Sequence, residues 1–279
     1  MWRLFRIALA MLAAALLLAG WAYWSAVADP VVREAEVALP GWPTGTPPLR
    51  AVLISDLHVA GPDMPPERLT RIIARIAALR PDLVLIAGDL ISDKRTATRR
   101  YTLREAVAPL AALRPRLGTF AVLGNHDHWR NSRQAHFELA RIGVHVLDNE
   151  AVAVGPLALG GLDDAYTGRA DLQRTLAAMR GIPGARVLLS HSPDPFATLP
   201  PEVGLMLAGH THCGQIRLPL IGAVSTMSDY GERYACGLIR EEGKTLIVSA
   251  GLGTSILPLR LGAPPDLWLM TLGPGLPSS

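Results

Sequence analysis

The chain has 279 residues, 49% hydrophobic and 18% charged, a globular balance that excludes a disordered polymer. Its net charge of +3 and pI near 9.1 come from scattered basic residues without a dense basic block; nucleic acid is therefore not expected as a partner, while an anionic substrate or membrane surface is compatible. The two cysteines, Cys213 and Cys236, include no CxxC pair, which argues against a zinc knuckle or a disulfide scaffold; whether they pair with each other is not legible from sequence.

Behind Arg3 and Arg6, an uncharged run covers residues 7–28. As a helix it is long enough to cross a hydrocarbon core of roughly 30 Å. Trp21, Tyr23 and Trp24 lie near its end, where amphipathic rings favour the interface. Residues 1–28 are therefore predicted to be a membrane anchor. Positive charge tends to stay cytoplasmic, so the body is expected on the far side. Ala26-Val27-Ala28 has the shape of a signal-peptide cleavage site, the competing reading. The length of the run, beyond the roughly 7–15 residues of a signal h-region, favours the anchor.

Residues 29–48 are proline-rich and are expected to hold a juxtamembrane strand, near 31–39, or a linker. From Leu49 a repeating pattern begins. Apolar strands are predicted at 51–54, 83–86 and 120–123, with helices at 66–79, at 103–113 despite Pro109, and at 132–142 with Ser132 as cap. This βαβαβα grammar predicts a sheet covered by helices. The second half reads as short strands at 145–147, 151–154, 157–159, 187–189, 205–207, 235–239, 245–248 and 267–271, with a helix at 170–179. Two packed sheets with helices outside are expected.

Chemistry gathers at the strand ends. The first strand leads into Ser55-Asp56-Leu57-His58, the second into Gly88-Asp89, and the third into Gly124-Asn125-His126-Asp127. Two later strands lead into Ser190-His191 and Gly209-His210-Thr211-His212. In open α/β sheets the C-terminal edge is where sites form. In an extended chain, residues i and i+2 share a face, so His210 and His212 project together. Asp56, His58, Asp89, Asn125, His191, His210 and His212 make a mixed oxygen and nitrogen set suited to manganese, iron or zinc. The set is too large for one open tetrahedral site and suits two cations at the ~3.5–4 Å separation of two-metal hydrolases.

The ordered series D-x-H, G-D, G-N-H-D, H and G-H-x-H, over residues 49–215, strongly resembles the calcineurin-like metallophosphoesterase superfamily. The resemblance implies an α/β fold, a four-layer α/β/β/α sandwich of two mixed sheets, with a catalytic domain over 49–279. A narrower resemblance rests on GHTHxGQ at 209–215, GLGTS at 251–255 and RxGAPP at 260–265. It is to a bacterial membrane-anchored branch of phosphodiesterases and UDP-2,3-diacylglucosamine pyrophosphatases of lipid A synthesis. This implies the inner (cytoplasmic) membrane, with the catalytic domain exocytoplasmic by the charge pattern. The pyrophosphatase step uses a cytoplasmic, nucleotide-linked substrate, so that activity conflicts with the predicted sidedness. Members of the branch usually carry glycine where Cys213 stands; the cysteine is either a neutral exchange or a thiol beside a metal.

By the same resemblance, one divalent cation takes Asp56, His58, Asp89 and His212, and the other takes Asp89, Asn125, His191 and His210, with Asp89 bridging. Two cations lower the pKa of the water between them, so a bridging hydroxide is available to attack phosphorus. His126 is expected to protonate the leaving oxygen or donate to the phosphate, with Asp127 orienting it. The implied activity is a phosphodiesterase or pyrophosphatase acting on a lipid- or nucleotide-linked phosphoester. The alternatives are a UDP-2,3-diacylglucosamine diphosphatase, a non-catalytic metal-binding relative, against which the complete ligand set argues, and a nuclease. Outside the motifs, His128 and the Asp163-Asp164 pair are candidates to flank the site, while His136 and His145 read as surface or core residues. Arg260 is expected either to meet a phosphate or head group or to lie on the surface. The apolar stretch 256–261 belongs to the membrane interface, an acyl-chain groove or the core.

Overall fold

The computed structural model describes residues 1–274. In chain order its elements are α1 (Trp2–Val27), β1 (Val31–Ala38), β2 (Leu49–Ile54), α2 (Pro66–Ala78), β3 (Leu83–Ala87), α3 (Leu103–Val107), β4 (Thr119–Val122), α4 (Asn125–Arg141) and β5 (Val144–Val146). There follow β6 (Glu150–Val154), β7 (Leu157–Gly161), α5 (Leu172–Arg180), β8 (Ala185–Leu189), β9 (Leu205–Ala208), the small hairpin β10 (Arg217–Leu218) and β11 (Gly222–Ala223), β12 (Gly237–Glu241), β13 (Lys244–Val248) and β14 (Asp266–Gly273).

Two six-stranded sheets form, ordered β1-β14-β2-β3-β4-β5 and β12-β13-β9-β8-β7-β6. In the first, β2 to β5 run parallel and β14 is antiparallel to β2. In the second, β13, β9, β8 and β7 run parallel, with antiparallel strands at both edges. Both sheets are mixed, as expected. Strand alternation sorts the side chains into three cores. Val52 and Ile54 of β2 face α2, α3 and α4, while Ala51 and Leu53 face the other sheet. Leu205 and Leu207 of β9 point into the same inter-sheet core, and Met206 and Ala208 pack toward α5. The layers are therefore helix, sheet, sheet, helix. This packing lines up the C-terminal ends of β2, β3 and β4 with those of β8 and β9.

α2 forms where the apolar spacing predicts it. Pro66 fits the first turn, where no N–H is needed, and Leu69, Ile72, Ile73 and Ile76 bury one face at about 1.5–3 kcal/mol each. Two expectations are corrected and a third is met. The 103–113 helix is α-helical only as far as Val107 and continues as a 3-10 turn over Ala108–Ala112, because Pro109 lacks the N–H for an i→i−4 bond. Its start carries a capping box, Thr102 with Glu105, which the T-x-x-E spacing announces. The helix predicted from Ser132 begins instead at Asn125 and breaks at Asn131, whose extended backbone and side chain cap the second segment through the Gln134 N–H (3.0 Å). The strand expected near 31–39 is β1, which pairs along its whole length with β14 at the edge of the first sheet.

Candidate metal centre

Five of the seven proposed ligands sit in left-handed backbone conformation: Asp56, His58, Asp89, His210 and His212 have φ between 42° and 69°. Each costs about 1–3 kcal/mol and persists only where neighbours over-determine it. Cross-loop bonds do so here. Asp56 N donates to Gly88 O (3.0 Å), His58 N to Asp89 O (2.9 Å), Gly209 N to His191 O (2.9 Å) and Gly253 N to Asp56 O (2.8 Å). The close approach demands glycine at Gly209, where a Cβ would stand 2.5 Å from Ser55 Cβ. Gly88, at φ 81°, leaves room for the Gly124 N–H.

The side chains converge in two sets. His58 Nε2 faces His212 Nε2 at 3.1 Å, with Asp56 Oδ1 3.4 Å from His212 Nε2. His191 Nε2 lies 3.1 Å from both Asn125 Oδ1 and His210 Nδ1. Asp89 stands between the sets, its Oδ2 3.4 Å from His58 Nε2 and 3.3 Å from His191 Nε2. The tautomers test whether a cation fits. His191 Nδ1 meets the Ala87 carbonyl (2.7 Å) and His210 Nε2 meets the Met227 carbonyl (3.1 Å). A carbonyl only accepts, so both nitrogens carry protons, which leaves His191 Nε2 and His210 Nδ1 facing each other across one positive centre, either the proton that His191 holds in the metal-free protein or a cation. His58 Nδ1, buried, has no partner among the described residues. The donor set and its geometry fit divalent cations.

Charge agrees. Burial pushes His58 and His212 well below the usual imidazole range and His210 down to about 4, keeping them neutral as ligands must be. Burial pushes Asp89 up, but the charge of His191 and its hydrogen bond outweigh it and hold the carboxylate well below its ordinary range. Burial also lowers His191, yet Asp89 and Asp56 overcome this and raise it to about 10 without a metal, so cation binding would displace a proton there.

Asp127, expected to orient His126, does not touch its ring. Asp127 Oδ2 accepts from Gly124 N (3.0 Å) and Oδ1 from Leu90 N (2.9 Å), fixing the first turn of α4 to the β3 loop. Burial and the nearby Asp89 raise it to about 7. Asp93 instead holds His126, Oδ1 to Nδ1 at 2.5 Å. The His126 backbone N–H donates to Asp89 Oδ1 (2.9 Å), so the helix start braces the central carboxylate. Trp129 packs edge-on to His126 and Tyr166 lies against His210, ring centres 4.9 and 4.7 Å apart, forming an aromatic wall. Beyond it a 680 Å³ cleft is lined by Tyr166, Ser192, Asp194, Met227 and Ser228. His128 and Asp163 pair with each other (2.7 Å) and tie α4 to the loop after β7, while His136 pairs with Asp148 and His145 stacks on Phe120, all three outside the cluster.

Arg260 is neither at the surface nor free for an anion. It is fully buried and donates to the carbonyls of Ala250, Gly251, Gly253 and Ala263, with Nη2 3.4 Å from His212 Nδ1. Burial lowers its pKa to about 10.

Cys213 is not a free thiol beside a metal, because it is bonded to Cys236 across 23 residues. Cys213 itself has φ 52°, a conformation glycine adopts freely, and the bond pins the turn that carries His210 and His212. For a loop this long the bond is worth about 3 kcal/mol, so Cys213→Ser with Cys236→Ser is expected to lower Tm by about 6–12 °C in differential scanning calorimetry. An unchanged Tm would mean that the bond adds nothing to the native protein.

Two stacked mixed sheets, with aspartate, asparagine and histidine delivered from five strand ends to one buried point, define a class of metal-dependent phosphoesterases. The family model for calcineurin-like phosphoesterase matches residues 49–214, and the chain belongs to that family. It is 31% identical over 258 residues to a Danio rerio protein named transmembrane protein with metallophosphoesterase domain, covering 86% of this chain and 56% of the relative. It is 32% identical to the metallophosphoesterase YkuE of Bacillus subtilis (82% and 81% covered) and 30% identical to the phosphodiesterase YaeI of Escherichia coli (81% and 82%). The chain spans little more than half the length of the vertebrate relatives it matches.

Proposed function

We propose that the protein is a dinuclear metal-dependent phosphoester hydrolase, of phosphodiesterase or pyrophosphatase type, working at a membrane surface. The observation that carries this reading is the position of Asp89, one oxygen facing a histidine of each set. In this assignment Asp56, His58, Asp89 and His212 hold one cation and Asp89, Asn125, His191 and His210 the other. When bound, manganese, iron or zinc supplies an activated water and offsets charge on phosphorus. The chain's own residues do the rest. His126, braced by Asp93, holds the proton for the leaving oxygen, and Trp129 and Tyr166 shield the reacting phosphate from bulk water. Asp127 keeps the Asn125-His126 turn in register with the β3 loop.

The membrane location rests on α1, which is long and apolar enough to cross a bilayer, and on the relatives named transmembrane proteins. Arg3 and Arg6 ahead of the helix, together with a disulfide in the domain, support an exocytoplasmic site, since disulfides persist in oxidising compartments. That sidedness favours an exocytoplasmic phosphodiester over the cytoplasmic nucleotide-linked substrate of lipid A synthesis. The test is a panel of p-nitrophenyl phosphate, bis-p-nitrophenyl phosphate and UDP-2,3-diacylglucosamine, with manganese or with chelator. Chelator-sensitive cleavage of the diester is expected. Release of UMP would reverse the sidedness, and a protein that binds no metal would overturn the reading.

A further inference from the structure

The last turns of α1 are fixed to the body beside the candidate metal centre. Arg260 N donates to Ala22 O (2.9 Å), Arg68 Nη2 donates to Ala28 O (2.6 Å), and Asp29 pairs with Arg75 (2.7 Å). Ala22 and Ala26 are the only residues of the helix buried by these contacts. Arg260 is also the residue whose guanidinium lies against His212. The point where the span meets the body is therefore one residue away from a proposed metal ligand.

Two apolar segments adjoin that point. The loop before Arg260 exposes Ile256 (72%) and Leu257 (45%). The β10–β11 hairpin exposes Leu220 at its tip, Ile221 (73%) and Val224 (65%). The two segments form one unit. Ile216 and Leu261 form a parallel bridge, Arg217 N donates to Leu261 O (2.8 Å), and Gln215 Nε2 donates to Leu257 O (3.0 Å). Neither 218–227 nor 251–259 contains a charged residue. An apolar rim carried on two joined segments marks an interaction surface rather than scattered exposure. Its occupant follows from its place. It is tied to the end of a helix that crosses a bilayer, level with Trp21 and Trp24, whose rings are exposed and suited to the interface.

We propose that the β10–β11 hairpin and the Ile256-Leu257 loop insert into the leaflet that receives the C-terminal end of α1, so that the metal centre opens onto the lipid surface. The inference rests on the reading of α1 as a span. It gives the substrate its class, an amphiphile whose phosphoester lies at the head-group level. The segment that continues the hairpin, through Met227 and Ser228, lines the cleft beside His210, so a lipid held by the rim would present its polar part there.

The test uses the full chain in vesicles of phosphatidylcholine and phosphatidylglycerol. Leu12→Cys, Ile221→Cys, Ile256→Cys and Glu242→Cys are labelled singly with an environment-sensitive NBD probe, the native cysteines being paired. Labels at 12, 221 and 256 are expected to emit to the blue and to be quenched by doxyl-labelled lipid. The label at 242, in the turn at the opposite end of the second sheet, is expected to do neither. Quenching at 12 without quenching at 221 and 256 overturns the insertion and leaves the span intact. A blue shift at 221 that doxyl lipid does not quench assigns the rim to a protein partner, a second copy included, and also overturns it. Absence of quenching at 12 removes the span on which the inference rests.

Discussion

Asp89→Asn is expected to reduce bound metal from two ions per chain to one or none and to lower cleavage of bis-p-nitrophenyl phosphate by about 10³-fold or more. Among the described residues, Asp89 is the only carboxylate with one oxygen facing a histidine of each set, His58 and His191. The amide keeps the size of the side chain and an oxygen for the His126 N–H, bonded at 2.9 Å, so the helix start keeps its acceptor. What it removes is the charge that, in the proposed assignment, draws two cations together. Several kcal/mol of transition-state stabilisation depend on those cations, and each 1.36 kcal/mol is tenfold in rate. Metal content by plasma emission spectroscopy and steady-state kinetics measure the two effects, and far-UV circular dichroism is expected to stay unchanged. A variant that keeps two ions and wild-type turnover would mean that Asp89 does not bridge.

His126→Ala is expected to separate proton transfer from metal binding. Turnover should fall by on the order of 10²–10⁴, the usual contribution of a positioned acid, while both ions remain. His126 lies near enough to His58 and Asp89 to be grouped with them as a metal ligand. Its Nδ1, however, is already engaged by Asp93, and 13% of the side chain stays exposed. Retention of two ions in the alanine variant favours the acid role, and loss of an ion would make His126 a ligand. Asp93→Asn is expected to lower kcat with little change in KM and to leave metal content unchanged, because the carboxylate positions the His126 ring without touching substrate. A simple loss of folding would instead lower metal content and Tm together.

The sequence by itself was enough to mark the apolar run of α1, the alternation of strands and helices in the first half and the seven residues proposed as ligands. Those features are local: an apolar strand and the short turn after it occupy a few consecutive residues, and the parallel sheets bring the C-terminal ends to one side whatever the details of packing. Only the tertiary structure decided how remote residues meet. Asp93 replaces Asp127 beside His126 because the Asp127 carboxylate is drawn to the free backbone N–H groups of Gly124 and Leu90, a competition invisible in Gly-Asn-His-Asp. Arg260 is buried because four carbonyls of the 250–263 turns converge on it and satisfy a charge that would otherwise seek water. Cys213 and Cys236, 23 positions apart, meet because a hairpin and a 3-10 turn fold the chain between them back on itself. The left-handed backbone at five ligands likewise has no sufficient local cause, since aspartate and histidine enter that region more readily than most side chains but still rarely. It exists because hydrogen bonds from neighbouring loops hold each turn in place, and those loops become neighbours only when the two sheets stack.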